Sequence, residues 1–112
     1  LSILRIYQLV PPETKLFVYA SDEGPGYAKL LQRPKKNEEI EISLGQEQPD
    51  DLIGRNVLSN AVPKLKSLDI RNSNLSKESI DIITRKLRHL EYLYLSENSV
   101  DDDSAMKIAQ RL

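Results

Sequence analysis

Apolar residues recur along the second half of the chain with a period of 25 residues. One run reads Leu65-x-x-Leu68-x-Ile70-x-x-Ser73-x-Leu75, and the next reads Leu90-x-x-Leu93-x-Leu95-x-x-Asn98-x-Val100. The segments that follow the two runs also match at this shift, Ile83 with Ile108 and Leu87 with Leu112. A recurrence of this length predicts a repeat architecture, in which each unit contains one strand and one helix.

Four segments alternate between apolar and polar residues, as half-buried strands do. We place these strands at residues 16–19, 40–44, 67–71 and 92–96. Leu16 and Val18 precede Ile42 and Leu44 by 26 residues, so the repeat continues upstream in a degenerate form. Residues 15–112 are therefore expected to form an array of about four units, and residues 1–14 an irregular N-terminal segment or an edge hairpin.

Helical patterns lie between the predicted strands. Residues 77–88 place Ile80, Ile83 and Leu87 on one face, and Ser76 is a candidate N-cap. The other predicted helices cover residues 51–62 and 103–112, with a shorter one at 26–33.

The Leu-x-x-Leu-x-Leu/Ile-x-x-Asn/Ser-x-Leu/Val runs resemble the leucine-rich repeat superfamily, and its intracellular F-box and ribonuclease-inhibitor-like members above all. The resemblance implies an α/β fold, a leucine-rich repeat solenoid with a parallel sheet on the concave side and helices on the convex side. It implies a non-catalytic module that binds another protein on its concave sheet face. The settings it implies include the substrate-recognition part of a cullin-type ubiquitin ligase and the sensor segment of an innate immune receptor; a purely structural spacer is the alternative.

In this architecture the residues between the buried strand positions form the partner-binding face. The candidates are Lys66, Ser67, Asp69, Arg71, Glu91, Tyr92, Tyr94 and Ser96. Parallel strands lie about 4.8 Å apart, so Asp69 is expected beside Tyr94 and Arg71 beside Ser96. Tyr and Arg are enriched at the energetic centres of protein interfaces, which supports a protein partner. An ordinary solvated sheet face with amphipathic tyrosines is the alternative.

The repeat also predicts how the units pack. The strand residues Leu68, Ile70, Leu93 and Leu95 are expected to point inward, and Leu65, Leu75, Leu90 and Val100 to fill the layers beside them. Asn98 is expected to turn inward and bond the backbone of its loop, because a buried amide must be satisfied. Ser73, at the equivalent position, offers fewer such bonds.

Composition narrows the class of partner. The chain has 112 residues, enough for one domain, and 16 Lys and Arg nearly cancel 17 Asp and Glu. This balance gives no basic excess for nucleic acid, and no apolar run is long enough for a membrane helix. Cysteine is absent from the sequence, which favours an intracellular, cytoplasmic or nuclear, setting. Because the chain starts at Leu1 and stops at Leu112 within an apolar pattern, we expect it to be part of a longer protein.

No residue pattern predicts catalysis, a metal site, a cofactor or a small-molecule substrate. The single histidine, His89, has no nucleophile pattern beside it. Asp101, Asp102 and Asp103 lack the spacing of a calcium loop and are interpreted as a helix start. The basic group at residues 85–88 is interpreted as a solvated face, with contact to an acidic partner or a phosphate as the alternative.

Overall fold

The computed structural model of the chain describes residues 3–20, 35–45, 47–95, 98, 100 and 102–111. The strands of this part are β1 Lys15–Tyr19, β2 Glu39–Ser43, β3 Ser67–Ile70 and β4 Tyr92–Tyr94. Its helices are α1 Ile3–Gln8, α2 Pro49–Gly54, α3 Val57–Ala61, α4 Lys77–Lys86 and α5 Asp102–Arg111. The protein is therefore a mixed α/β fold, as the strand and helix patterns predict.

All neighbouring strands of the sheet run parallel, in the order β2-β1-β3-β4. The adjacency of β3 and β4 is confirmed, with Leu68 opposite Leu93 and Asp69 opposite Tyr94. The expected neighbour of Arg71, Ser96, lies outside the described residues. The 25-residue recurrence thus reports the true register of these two strands.

The first two strands do not follow chain order. Stacked repeats would place β2 between β1 and β3, whereas β1 pairs directly with both of them. Leu16 lies opposite Ile40, so the predicted 26-residue shift that matched Leu16 with Ile42 is wrong by two residues. Side chains of a strand alternate with a period of two, so a two-residue slip keeps the same face buried and the apolar pattern cannot detect it.

The start of α4 is predicted correctly from its N-cap residue, whereas the helix expected over 51–62 is interrupted. α4 begins after Ser76, whose hydroxyl accepts a hydrogen bond from the Ser79 backbone N–H, as the predicted N-cap requires. The single helix expected over 51–62 is instead two helices, α2 and α3. They are separated at Asn56, which has a φ of 57°. Asn tolerates this left-handed conformation better than most residues with a side chain, so the first helix can end and a second begin within the segment.

Two further expectations concern the first part of the chain. Residues 3–8 form the helix α1, so neither the irregular segment nor the edge hairpin expected for residues 1–14 describes them. α1 contacts α3 and places Ile6 and Tyr7 in the core. The helix expected over 26–33 lies outside the described residues.

One apolar core joins the sheet to the helices. The inward strand residues Leu16, Val18, Ile42, Leu68 and Ile70 pack with residues of α1 to α4. Leu65, Leu75 and Leu90 are buried as predicted. Leu93 and Leu95 pack against the core as predicted, but they are only partly buried because β4 is the last strand of the described sheet. Val100 is exposed, contrary to expectation.

The inward turn of Asn98 is confirmed, and it links two loops rather than one. Its Oδ1 accepts hydrogen bonds from the backbone N–H groups of Ser73 (3.0 Å) and Leu75 (3.3 Å). Its Nδ2 donates to the carbonyl oxygens of Ile70 (2.7 Å) and Leu95 (3.3 Å). The Ser73 hydroxyl donates only to the Arg71 carbonyl, at 2.8 Å, among these loop groups.

Asp50 provides a second link, between the starts of α2 and α4. Its Oδ1 accepts from the Ser76 backbone N–H and from the Ser79 hydroxyl, both at 2.6 Å. Partial burial of the carboxyl raises its pKa, but the hydrogen bonds from Ser79 and Ser76 outweigh that effect and leave the pKa below its ordinary value. The carboxylate form of Asp50 is therefore part of the folded structure.

Candidate partner-binding surface

The face of the sheet opposite the buried strand positions carries polar and aromatic side chains. We call it the outer sheet face, defined by Lys15, Phe17, Tyr19, Glu39, Glu41, Ser43, Ser67, Asp69, Arg71, Tyr92 and Tyr94. These residues occupy alternate positions in the strands or directly follow β3, so their side chains share one side. All four strands therefore contribute side chains to the outer sheet face.

An ordered cluster lies in the middle of the outer sheet face. The Arg71 guanidinium donates to both carboxylate oxygens of Asp69, from Nη2 at 2.7 Å and from Nε at 3.0 Å. The same guanidinium lies 5.3 Å from the centre of the Phe17 ring, within the range of a cation–π contact. The rings of Phe17 and Tyr19 are 5.0 Å apart and tilted by 36°. Arg71 is thereby held in position before any partner arrives.

Two tyrosines stand beside this cluster on the edge strand. Tyr92 and Tyr94 are 56% and 50% exposed, although they belong to a strand. A shallow open depression of about 150 Å³ runs from Glu39 and Lys15 across Phe17 and Asp69 to Tyr94. The outer sheet face therefore combines exposed aromatic area with a groove that crosses all four strands.

The structure brings together most, but not all, of the predicted site residues. Ser67, Asp69, Arg71, Tyr92 and Tyr94 lie on the outer sheet face, while Ser96 is outside the described residues. Lys66 and Glu91 are exposed and precede β3 and β4, where the Glu91 backbone N–H donates to the Lys66 carbonyl at 2.8 Å. Because side chains alternate along a strand, Lys66 and Glu91 do not share the side occupied by the other predicted residues. They lie at the edge of the outer sheet face, where β3 and β4 begin.

Phe17 and Tyr19 were missed by reasoning from the sequence. The alternation of Leu16 and Val18 already predicts that their neighbours point outward, and that signal was available. The contact between Phe17 and Arg71 was not available, because it depends on β1 lying beside β3 instead of beyond β2.

Other candidate chemistry lies away from this face. Within the part of the chain that the structure describes, no three His, Cys, Asp or Glu residues are grouped so as to hold a metal ion. Asp102 and Asp103 form the first turn of α5, which confirms them as a helix start. None of the helices in the described ranges is both long and apolar enough to cross a lipid bilayer.

Comparison with protein families, with curated proteins and with solved structures finds no match to this chain. The function of the site is therefore inferred from its residues alone. What they offer is an aromatic and charged face on a packed sheet, with Arg71 fixed by Asp69 and Phe17.

Proposed function

We propose that this chain is a non-catalytic binding module that holds a partner protein on its outer sheet face. The observation that carries the proposal is the exposure of Tyr92 and Tyr94 beside the ordered Arg71 guanidinium. Tyr and Arg supply much of the binding energy in protein interfaces, and a side chain that is already ordered loses little entropy on binding. The packed core behind the sheet keeps this surface in one shape.

The same proposal includes a leucine-rich repeat relationship for the second half of the chain. Three observations support it: the register of β3 with β4, a helix after each of these strands, and the bridge that Asn98 makes to the preceding loop. The order of β1 and β2 departs from a simple stack, so the proposal applies to residues 65–112. A partner would contact the sheet side, since the helices cover the other side.

Site-specific photocrosslinking tests the partner face directly. A benzophenone side chain is placed at position 94 in one sample and at position 106 in another, and each is exposed to an extract of the source cells. Met106, on α5, is 57% exposed and serves as a matched control for the tyrosines. The proposal expects a discrete crosslinked protein from position 94 that is absent from position 106.

Substitution then separates binding from folding. The double change Tyr92→Ser and Tyr94→Ser should abolish capture of that crosslinked protein, while Met106→Ser should leave capture intact. The free energy of unfolding of both variants should lie within about 0.5 kcal/mol of the parent's value, because the altered side chains are exposed. Equal capture by the tyrosine double variant would refute the proposal and favour the purely structural alternative.

A further inference from the structure

An open pocket lies on the helix side of the sheet, lined by residues of α4, of the turn that follows it and of α5. Its volume is about 330 Å³, and its walls are Thr84, Arg85, Arg88, Gln110 and Arg111. Three of these five residues carry guanidinium groups and none carries a carboxylate. The pocket therefore brings together positively charged side chains from two segments, residues 84–88 and 110–111, that are far apart in the sequence.

Arg111 is held in this pocket by fixed hydrogen bonds. Its Nη1 donates to Asp81 Oδ1 at 2.7 Å and to the Thr84 hydroxyl at 3.1 Å. That hydroxyl in turn donates to the Ile80 carbonyl at 2.9 Å, so its oxygen is oriented to accept from Arg111. The Nη2 and Nε groups of Arg111 take no part in these bonds. A guanidinium anchored through one nitrogen retains its other donors for a ligand.

Charge at the pocket is far from balanced. Asp81 is the carboxylate shared by Arg111, Lys107 at 3.4 Å and Arg85 at 3.7 Å. The hydrogen bond from Arg111, followed by that from Lys107, keeps the pKa of Asp81 below its ordinary value. Three cationic side chains thus share one carboxylate, and Arg88, which lines the pocket, adds a further positive charge.

We propose that this pocket binds a phosphate group, either as free phosphate or as a phosphomonoester. Guanidinium groups match the oxygens of phosphate with paired hydrogen bonds, and three of them line this pocket. A water molecule needs only about 10–15 Å³ of accessible space, so the pocket has room for a phosphate and part of its carrier. The site is independent of the proposed partner face, because it lies on the helix side of the sheet.

An NMR titration of the 112-residue chain with inorganic phosphate tests the site. The measurement is made in mildly alkaline solution, where inorganic phosphate is mostly a dianion, and sodium chloride keeps the ionic strength constant. The expected result is saturable shifts of the backbone amides of Arg85, Arg88 and Arg111. Shifts that do not saturate up to tens of millimolar phosphate would overturn the proposal.

Variants assign the binding to the guanidiniums. Arg88→Gln should weaken phosphate binding by about tenfold or more, the usual consequence of losing hydrogen bonds to a charged group. Arg88→Lys should recover only part of that loss, because an ammonium lacks the paired donors. Lys64→Gln removes one exposed positive charge elsewhere and should change nothing. An equal loss in Lys64→Gln and Arg88→Gln would show general charge attraction and reject the site.

Two further probes identify the source of the phosphate. N-acetyl phosphoserine amide binding more tightly than inorganic phosphate would point to a phosphorylated protein, and equal binding would point to the free anion; either result supports the site. N-acetyl glutamate amide binding as tightly as both would overturn phosphate recognition in favour of carboxylates. The double change Tyr92→Ser and Tyr94→Ser should leave the titration unchanged, so failure of either proposal can be recognised separately.

Discussion

Replacing Asn98 by alanine should destabilise the protein far more than its partly exposed position suggests. The side chain makes four hydrogen bonds to the backbone, two as acceptor from Ser73 and Leu75 and two as donor to Ile70 and Leu95. A hydrogen bond of this kind contributes about 0.5–1.5 kcal/mol net, and the two bonds of 3.3 Å belong at the lower end. We therefore expect the free energy of unfolding to fall by about 2–4 kcal/mol.

Urea unfolding measures this loss. With a slope of about 2 kcal/mol per molar urea, the middle of the usual range, the midpoint should fall by roughly 1–2 M in Asn98→Ala. Asn60→Ala is the control, because Asn60 is exposed on α3 and its loss should change stability by at most about 0.5 kcal/mol. Amide hydrogen exchange gives a local readout, since the N–H groups of Ser73 and Leu75 lose their acceptor and should exchange faster.

Two results would show that the Asn98 side chain does not stabilise the fold. If Asn98→Ala unfolds at the same urea concentration as Asn60→Ala, the bridge contributes nothing. Unchanged exchange at Ser73 and Leu75 would lead to the same conclusion. Asn98→Asp adds a stricter test, because it places a carboxylate oxygen against the Ile70 carbonyl that Nδ2 now contacts at 2.7 Å. At neutral pH this variant should be at least as unstable as Asn98→Ala.

Three other predictions concern stability. Leu68→Ala should lower the free energy of unfolding by about 2–5 kcal/mol in urea titrations, because Leu68 is fully buried between two strands and its loss leaves a cavity. Asp50 has a lowered pKa, so its stabilising effect is complete above the unfolded value near 3.8 and is lost as the pH falls through the folded value. Asp50→Asn should therefore show a smaller loss of thermal stability between pH 5 and pH 2 than the parent. Asn56→Gly should raise the melting temperature slightly or leave it unchanged, because Gly adopts the left-handed conformation freely and the buried Asn56 Oδ1 has no hydrogen-bond partner; a marked decrease would contradict this.

The features predicted correctly are those that depend on neighbours in the sequence. The alternation around Leu68 and Leu93 predicts which side chains point inward, and the 25-residue recurrence predicts their register. Ser76 predicts the start of α4 because an N-cap is a local hydrogen bond. Asn98 could be assigned to a buried polar role because its amide must find partners wherever it is enclosed.

Features that depend on distant segments were beyond such reasoning. The place of β1 between β2 and β3 depends on pairing between distant segments, and either strand order leaves the same faces buried and hence the same apolar pattern. That placement brings Phe17 to Arg71, and the packing of α5 on α4 brings Arg111 to Asp81 and Arg85. Periodicity thus specifies strands, helices and their buried sides, because these follow from the backbone geometry of each segment. The sheet order, the contact between Phe17 and Arg71 and the pocket between α4 and α5 arise only when the segments pack, because long-range contacts alone determine which side chains become neighbours.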